Sequence, residues 1–368
     1  MDLHRHPFDE GTITKLEIFE AYTKEWLPVF VMSPYQHICI FDLFAGTGRD
    51  QKGVAGSPIR ILQQINGMLS DIVSRGKHVY LWLNEYDHDK YELLLSSCQD
   101  LLDEQPQLKD AVDREIVKIN YTNLDFAVLF PQISGIIKRF PSLVFLDQNG
   151  IKFLSDQYFQ ELVSTSTVDF LYFVSSSYFF RFGERPEFLM NVQIDMQRAK
   201  ENPYKFIHRS LLEQFRGKIP SDSNVKLYPF SIKKGRNIYG IIFGASHPLA
   251  VEKFLTTAWK RNAMNGEANF DIDDDAAKAQ LSLFDEKKPT KKEAFANLLR
   301  DKLLKKELVT NEDVYLFTLD LGHIPSHAAD VLKQLKKEGL LTYDSPSPLV
   351  TYEQVFKNHR IINYKLRL

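Results

Sequence analysis

Through residue 245, short apolar runs recur along the chain with amphipathic stretches between them. The runs are HICIFDLF (37–44), VYLWLNEYD (79–87), EIVKINY (115–121), LVFLDQ (143–148), DFLYFVSS (169–176) and NIYGIIFGA (237–245). Continuous apolar runs of this length predict strands covered on both faces, as in a parallel sheet. The intervening SPIRILQQINGMLSDIV and DKYELLLSSCQDLL place Ile, Leu and Val at helical spacing. A βαβ alternation and an open doubly wound α/β sheet follow. Residues 185–218 read as broken helix, expected as a cap over the carboxyl edge of the sheet.

The pattern then changes. Residues 266–289 are polar and acidic, with Asp271, Asp273, Asp274 and Asp275 followed by Gln-Leu-Ser-Leu-Phe, and read as a linker. Beyond it, Thr290 and Glu293 have capping-box spacing, and three helical patterns follow. The third starts at Ser326 as an expected cap and ends at Gly339. Leu-Leu-Thr-Tyr-Asp, a Ser-Pro-Ser-Pro turn and Leu-Val-Thr-Tyr then read as a two-stranded turn. Three helices and a hairpin predict a winged helix-turn-helix over 290–368, after a sheet domain over 1–265.

At 368 residues the chain is long enough for two cores. A hydrophobic content of 44% and a charged content of 26% exclude collagenous, disordered and disulfide-rich classes. Net charge −2 excludes a globally basic nucleic-acid coat. Residues 290–368 hold thirteen Lys and Arg against ten Asp and Glu, a net +3, which leaves −5 for residues 1–289. Two cysteines, Cys39 and Cys98, imply no disulfide framework, and no apolar stretch suits a signal peptide or a membrane span. A cytoplasmic protein is expected.

The sharpest chemical signal is Phe41-Asp42-Leu43-Phe44-Ala45-Gly46-Thr47-Gly48, a strand running into a glycine loop. Glycine lets a backbone turn and approach a ligand closely. Gln51 stands where a dinucleotide fingerprint needs its third glycine, which disfavours a pyrophosphate site. The loop resembles motif I of class I S-adenosylmethionine-dependent methyltransferases. That resemblance implies that Asp42 faces the amino-acid end of the cofactor, with Phe44, Ala45, Gly46 and Gly48 shaping its wall.

At the tip of the second strand, Glu85 is positioned to accept both ribose hydroxyls, with Asp87 in reserve. After the third strand Asn123 is the candidate for the adenine amine. The fourth strand delivers Asp147-Gln148-Asn149-Gly150, where amino-methyltransferases carry an acid or amide, two prolines and an aromatic ring. Asp147 and Asn149 are the catalytic candidates. Stacking on the acceptor would then fall to Tyr178, Phe179 or Phe180, with Arg181 beside them. Methyl transfer from a sulfonium needs alignment rather than a metal, and no metal is assigned. Lys15, on a helix before the first strand, could reach the cofactor carboxylate, and Ser57 with Arg60 could bind an anion at a helix start.

Thr14 to Phe19, Tyr22, Trp26-Leu27-Pro28, the glycine loop, Gly56-Ser57-Pro58, Asn84-Glu85 and Phe145-Leu146-Asp147 together resemble the three-Cys-motif partner proteins, over about residues 12–180. The resemblance implies a methyltransferase-type Rossmann domain followed by a helical domain. It also implies a radical S-adenosylmethionine-like partner protein in a nucleic-acid repair or modification setting. Gln148 departs from the proline that members usually carry after the strand-4 Asp.

Two further features point to partners. Gln280, Leu281, Leu283 and Phe284 resemble the short peptide that docks on the bacterial sliding clamp. On the expected recognition helix, Lys333 and Lys337 could meet phosphates of DNA or RNA and Gln334 a base edge. The sequence thus predicts a methyltransferase-like protein acting on nucleic acid or a nucleic-acid-associated partner. Its rival is a non-catalytic adaptor that recruits a partner to DNA.

Overall fold

The computed structural model describes residues 7–147, 155–175, 181, 184–185, 194–201, 204–280 and 288–367. Asn149, Tyr178, Leu281, Leu283 and Phe284 fall outside the described residues. The chain divides into two compact units, Met1–Ser246 and His247–Leu368.

The first unit is built on seven strands: β1 (His37–Asp42), β2 (His78–Asn84), β3 (Val117–Thr122), β4 (Ser142–Leu146), β5 (Val168–Val174), β6 (Lys226–Lys234) and β7 (Asn237–Ala245). They form one sheet in the order β3-β2-β1-β4-β5-β7-β6. The first five are parallel, and β7 runs antiparallel to both its neighbours. The expectation that 237–245 is another parallel strand is therefore corrected. Only Gly235 and Arg236 separate β6 from β7, far too few residues for the crossover that a parallel partner needs. Gly235 takes φ +57°, as such a turn requires.

Helix α1 (Glu10–Val31) precedes the sheet and is capped by Asp9, which accepts from the Thr12 amide. Its buried Leu16, Phe19, Tyr22, Thr23, Trp26 and Leu27 recur at three- and four-residue spacing and form one continuous stripe. Phe19 stacks on Phe145 of β4 with centroids 3.9 Å apart, and the Tyr22 hydroxyl donates to Asp169 of β5 at 2.6 Å. Each large apolar side chain on this stripe contributes roughly 1.5–3 kcal/mol by burial. Together they fix which residues of α1 look toward the carboxyl edge of β4.

Helix α2 (Ser57–Gly67) packs beside α1. The opposite face of the sheet carries Cys39, Phe41, Val144 and Phe170 in a core with Phe126, Phe130, Phe159, Leu211 and Phe215. Side chains alternate along β1, so Asp42 shares the other face with Ile38 and Ile40. Helix Ile207–Arg216, expected as part of a cap over the edge, lies on the sheet instead: Ile207, His208, Leu211, Leu212 and Phe215 are all buried. Its amphipathic stripe is matched to a flat apolar sheet face, and Gly240 of β7 leaves the room that the His208 ring fills.

The second unit starts earlier than the expected boundary at 265, since helix Pro248–Arg261 belongs to it. The acidic stretch is folded into this unit. Asn265 accepts from the amides of Glu267 and Ala268, Asp271 accepts from those of Asp275 and Ala276, and Asp275 accepts from that of Lys291. Its acids thus serve as backbone acceptors. Thr290 and Glu293 form the expected capping box of helix Lys291–Leu304, and Thr310 with Asp313 forms another on helix Asn311–Asp320.

The next helix runs Pro325–Lys337, with Pro325 at its first turn and no side-chain cap, so Ser326 lies inside it. Gly339 ends it at φ +75°. The two-stranded sheet pairs β8 (Leu341–Thr342) with β9 (Lys365–Leu366). The expected second strand near 349–352 is instead part of a long connection, because Asn311, wholly buried, donates to Leu349 and Arg360 carbonyls and ties that connection down. No helix among the described residues is long and apolar enough to cross a membrane.

Candidate active site

The strand order reverses between β1 and β4, and ligands of open α/β sheets bind outside the carboxyl ends of strands at such a point. Here a cavity of about 450 Å³ opens, lined by the loop after β1 from Phe44 to Gly48, by Asn84, Glu85 and Tyr86 after β2, and by Asp147 after β4. Lys15, Phe173, Lys234 and Tyr239 line it as well.

The glycine loop is shaped by its own backbone demands. Gly46 and Gly48 take φ +66° and +77°, and a Cβ on Gly48 would stand 2.8 Å from that of Ser97. The amide of Gly46 donates to Glu85 Oε2 at 3.0 Å and that of Asp87 to Glu85 Oε1 at 2.9 Å. Glu85 is thus fixed at the cavity wall, and burial raises its pKa against those two hydrogen bonds.

Beneath it, buried Asn84 donates to the Leu43 and Leu124 carbonyls and accepts from Thr122 and the Leu124 amide. One side chain therefore ties together the ends of β1, β2 and β3. Asn123 donates to the carbonyls of Glu85 and Tyr86 at 2.6 and 2.9 Å. Its amide braces the Glu85 turn, and Asp125 with Phe126 lines the cavity in its place.

Asp42 is wholly buried and lies under the loop, outside the cavity lining. Neither of its oxygens has a hydrogen-bond partner of good geometry, although Ser57 and the Phe44 amide lie close enough to favour its charge. Burial, with Asp147 adding repulsion, pushes its pKa up to about 7. Ala45 and Phe44 line the cavity, the latter stacked on Phe126 at 5.3 Å.

Asp147 reaches the cavity and forms an ion pair with Lys15, whose ammonium also sits 4.6 Å from the centre of the Phe173 ring. Of the two residues expected to bind an anion, Ser57 lines the cavity, whereas Arg60 is held by Glu20 and the Ala55 carbonyl. Arg181 donates to Asn237 at 3.3 Å and is not part of the lining.

Sequence reading passed over the far wall. Phe173 and Tyr239 stack with centroids 5.7 Å apart, and Lys234 pairs with Asp9. The Phe8 amide donates to Asp50 at 2.8 Å, and Asp50 also accepts from Lys52 and Val54, so the residues before α1 are bound to the glycine loop. Only the apolar run 237–245 carried any local signal of this wall.

In the second unit, Lys333, Gln334 and Lys337 are exposed on helix Pro325–Lys337. Gln334 donates to Glu338, which Arg300 also holds. Gln280 ends helix Asp275–Gln280. The expectation of no metal passed over His323 and His327, four residues apart. Their Nδ1 atoms lie 3.0 Å apart, beside Trp259 and Phe295. Burial and the nearby Lys291 push His323 down to about 2, and burial with Lys292 pushes His327 down to about 4. Among the described residues no three His, Cys, Asp or Glu side chains come together as a metal site.

Comparison with known proteins bears on both units. Residues 269–348 match the GMT-like wHTH domain. With the strand order, this gives an α/β chain whose mostly parallel, Rossmann-like sheet is followed by a winged helix-turn-helix. No curated protein matches the chain.

Among solved structures, a candidate O-methyltransferase from Klebsiella pneumoniae is 13% identical with TM-score 0.32, covering 65% of this chain and 90% of its own. Protein LPL1258 from Legionella pneumophila is 11% identical with TM-score 0.37, covering 67% and 90%. The methyltransferase domain of METTL16 is 9% identical with TM-score 0.30, covering 62% and 66%. At these scores the three carry no argument, and the fold reading rests on the topology and the winged-helix match.

Proposed function

We propose that the first unit binds S-adenosylmethionine and directs its methyl group to an amine on nucleic acid or on a nucleic-acid-associated partner. The observation that carries this reading is the cavity at the switch point, where a glycine loop and a carboxylate, Glu85, are joined by a hydrogen bond. The loop is open to backbone contact with the amino-acid end, and Glu85 retains lone pairs for the ribose hydroxyls. The cofactor supplies an activated methyl on sulfur. Asp147 would orient the acceptor N–H and Asp42 would set the field beneath the loop. Asn149, Tyr178 and Arg181 would complete the acceptor side.

Exposed Lys333 and Lys337 would bring nucleic-acid phosphates to the second unit. The segment Gln280 to Phe284 would dock a sliding clamp, and a three-Cys-motif radical S-adenosylmethionine-like protein would be the partner that the resemblance implies. A second reading, that of a cofactor-binding adaptor without transfer, is favoured by one observation: Asp147 is engaged by Lys15.

Calorimetric titration of the full chain with S-adenosylmethionine and S-adenosylhomocysteine tests the first reading. Micromolar binding, lost in Glu85→Ala and Gly46→Val, is expected. No heat and no thermal stabilisation in the parent protein would defeat it.

A further inference from the structure

Lys15 is 9% exposed on α1, where the neighbouring Leu16 and Phe19 are buried as well. Its ammonium meets Asp147 and the face of Phe173, and both side chains of the ion pair line the cavity. Asp42 stands on the neighbouring strand, paired in register with Phe145, two residues before Asp147. Lys15 therefore serves two carboxylates: it pairs with one and lowers the pKa of the other.

The pair is largely enclosed, with side chains 11% and 18% exposed, so removing one partner leaves the other charge poorly solvated. While Lys15 holds Asp147 Oδ2, an acceptor N–H must share the carboxylate with the ammonium, and another anion that takes over Lys15 removes that competition. The glycine loop begins one residue after Asp42, so a carboxylate bound there enters the field of the same ammonium.

We propose that Lys15 is the positioning residue of this site, handed from Asp147 to the carboxylate of the bound cofactor. The exchange frees Asp147 for the acceptor, so that bound cofactor favours acceptor binding. The inference rests on the cofactor reading above and adds to it a coupling: cofactor and acceptor help one another through one shared cation. By linkage, whatever factor the cofactor contributes to acceptor affinity the acceptor returns.

The sign of two substitutions decides the matter. By calorimetry on the full chain, Lys15→Met should weaken S-adenosylhomocysteine about tenfold or more. It should leave 5′-methylthioadenosine, which has no carboxylate, within about twofold. Asp147→Asn releases Lys15 and should tighten S-adenosylhomocysteine several-fold, a gain that a merely structural ion pair would not give. Thermal melts check that both variants fold, and if Lys15→Met does not, the Asp147→Asn result stands alone. Equal weakening of both ligands by Lys15→Met, or weaker S-adenosylhomocysteine binding in Asp147→Asn, would overturn the exchange. Failure of both ligands to bind the parent protein would remove the cofactor reading itself, and this inference with it.

Discussion

The two units bury ionisable groups of opposite kinds. In the first, Asp42 and Asp169 are enclosed and burial pushes both up to about 7. In the second, burial with Lys291 pushes His323 down to about 2, and burial with Lys292 pushes His327 down to about 4. Desolvation favours the neutral form in each case, so the acid keeps its proton and the base sheds one.

Linkage then has opposite signs. A carboxyl with a raised folded-state pKa stabilises fully below its unfolded value near 4, and that contribution is lost as pH rises through about 7. A histidine with a depressed pKa stabilises above about 6.5, and its contribution is lost as pH falls toward about 4. Through these groups the two units should thus respond to pH with opposite sign.

The largest test separates them outright. Gly240→Val would drive a side chain into the His208 ring, which lies 1.4 Å from the site of a Cβ. The cost should exceed about 3 kcal/mol. Calorimetry should lose the transition of the first unit and keep that of the second, and loss of both would show that the units do not fold independently.

Next, Asp42→Asn should gain on the parent protein by up to about 4 kcal/mol between pH 4 and 7, read from denaturant midpoints across that range. A constant gap would mean that Asp42 does not titrate there. His323→Phe should remove up to about 3 kcal/mol of the loss between pH 6.5 and 4, measured by acid unfolding followed in the near-ultraviolet. Smallest, Thr290→Ala should cost the second unit about 1 kcal/mol in urea through its capping box, with the first unit unmoved.

What could be read from the sequence was local and periodic. The strands β1, β2, β4 and β5 announce themselves because a covered parallel strand needs an unbroken apolar run. The glycine loop is legible because Gly46 and Gly48 occupy left-handed backbone. Strand β6 escaped notice because Pro229 interrupts it, yet the strand is at the sheet edge, where a missing amide is tolerated.

The carboxyl partner of Lys15 lies 132 residues away, and no spacing rule joins a helix before β1 to an acid after β4. The same holds for Phe173 with Tyr239 and Asp9 with Lys234, which only the sheet order brings to one cavity. His323 and His327, by contrast, were there in the spacing, but what neutralises them is the Trp259 and Phe295 packing that no window contains.

Helix α1 also has a consequence for the birth of the chain. It leaves the ribosome before the strands it packs on: its stripe is completed by Phe145, Asp169 and Phe243, and its cap residue Asp9 meets Lys234, 225 positions later. At roughly 5–20 residues per second, on the order of ten seconds or more separate the synthesis of those partners. For that interval Leu16, Phe19, Tyr22 and Trp26 have no sheet to cover. The segment that holds Lys15 is thus one that a nascent chain must shield for long from other chains.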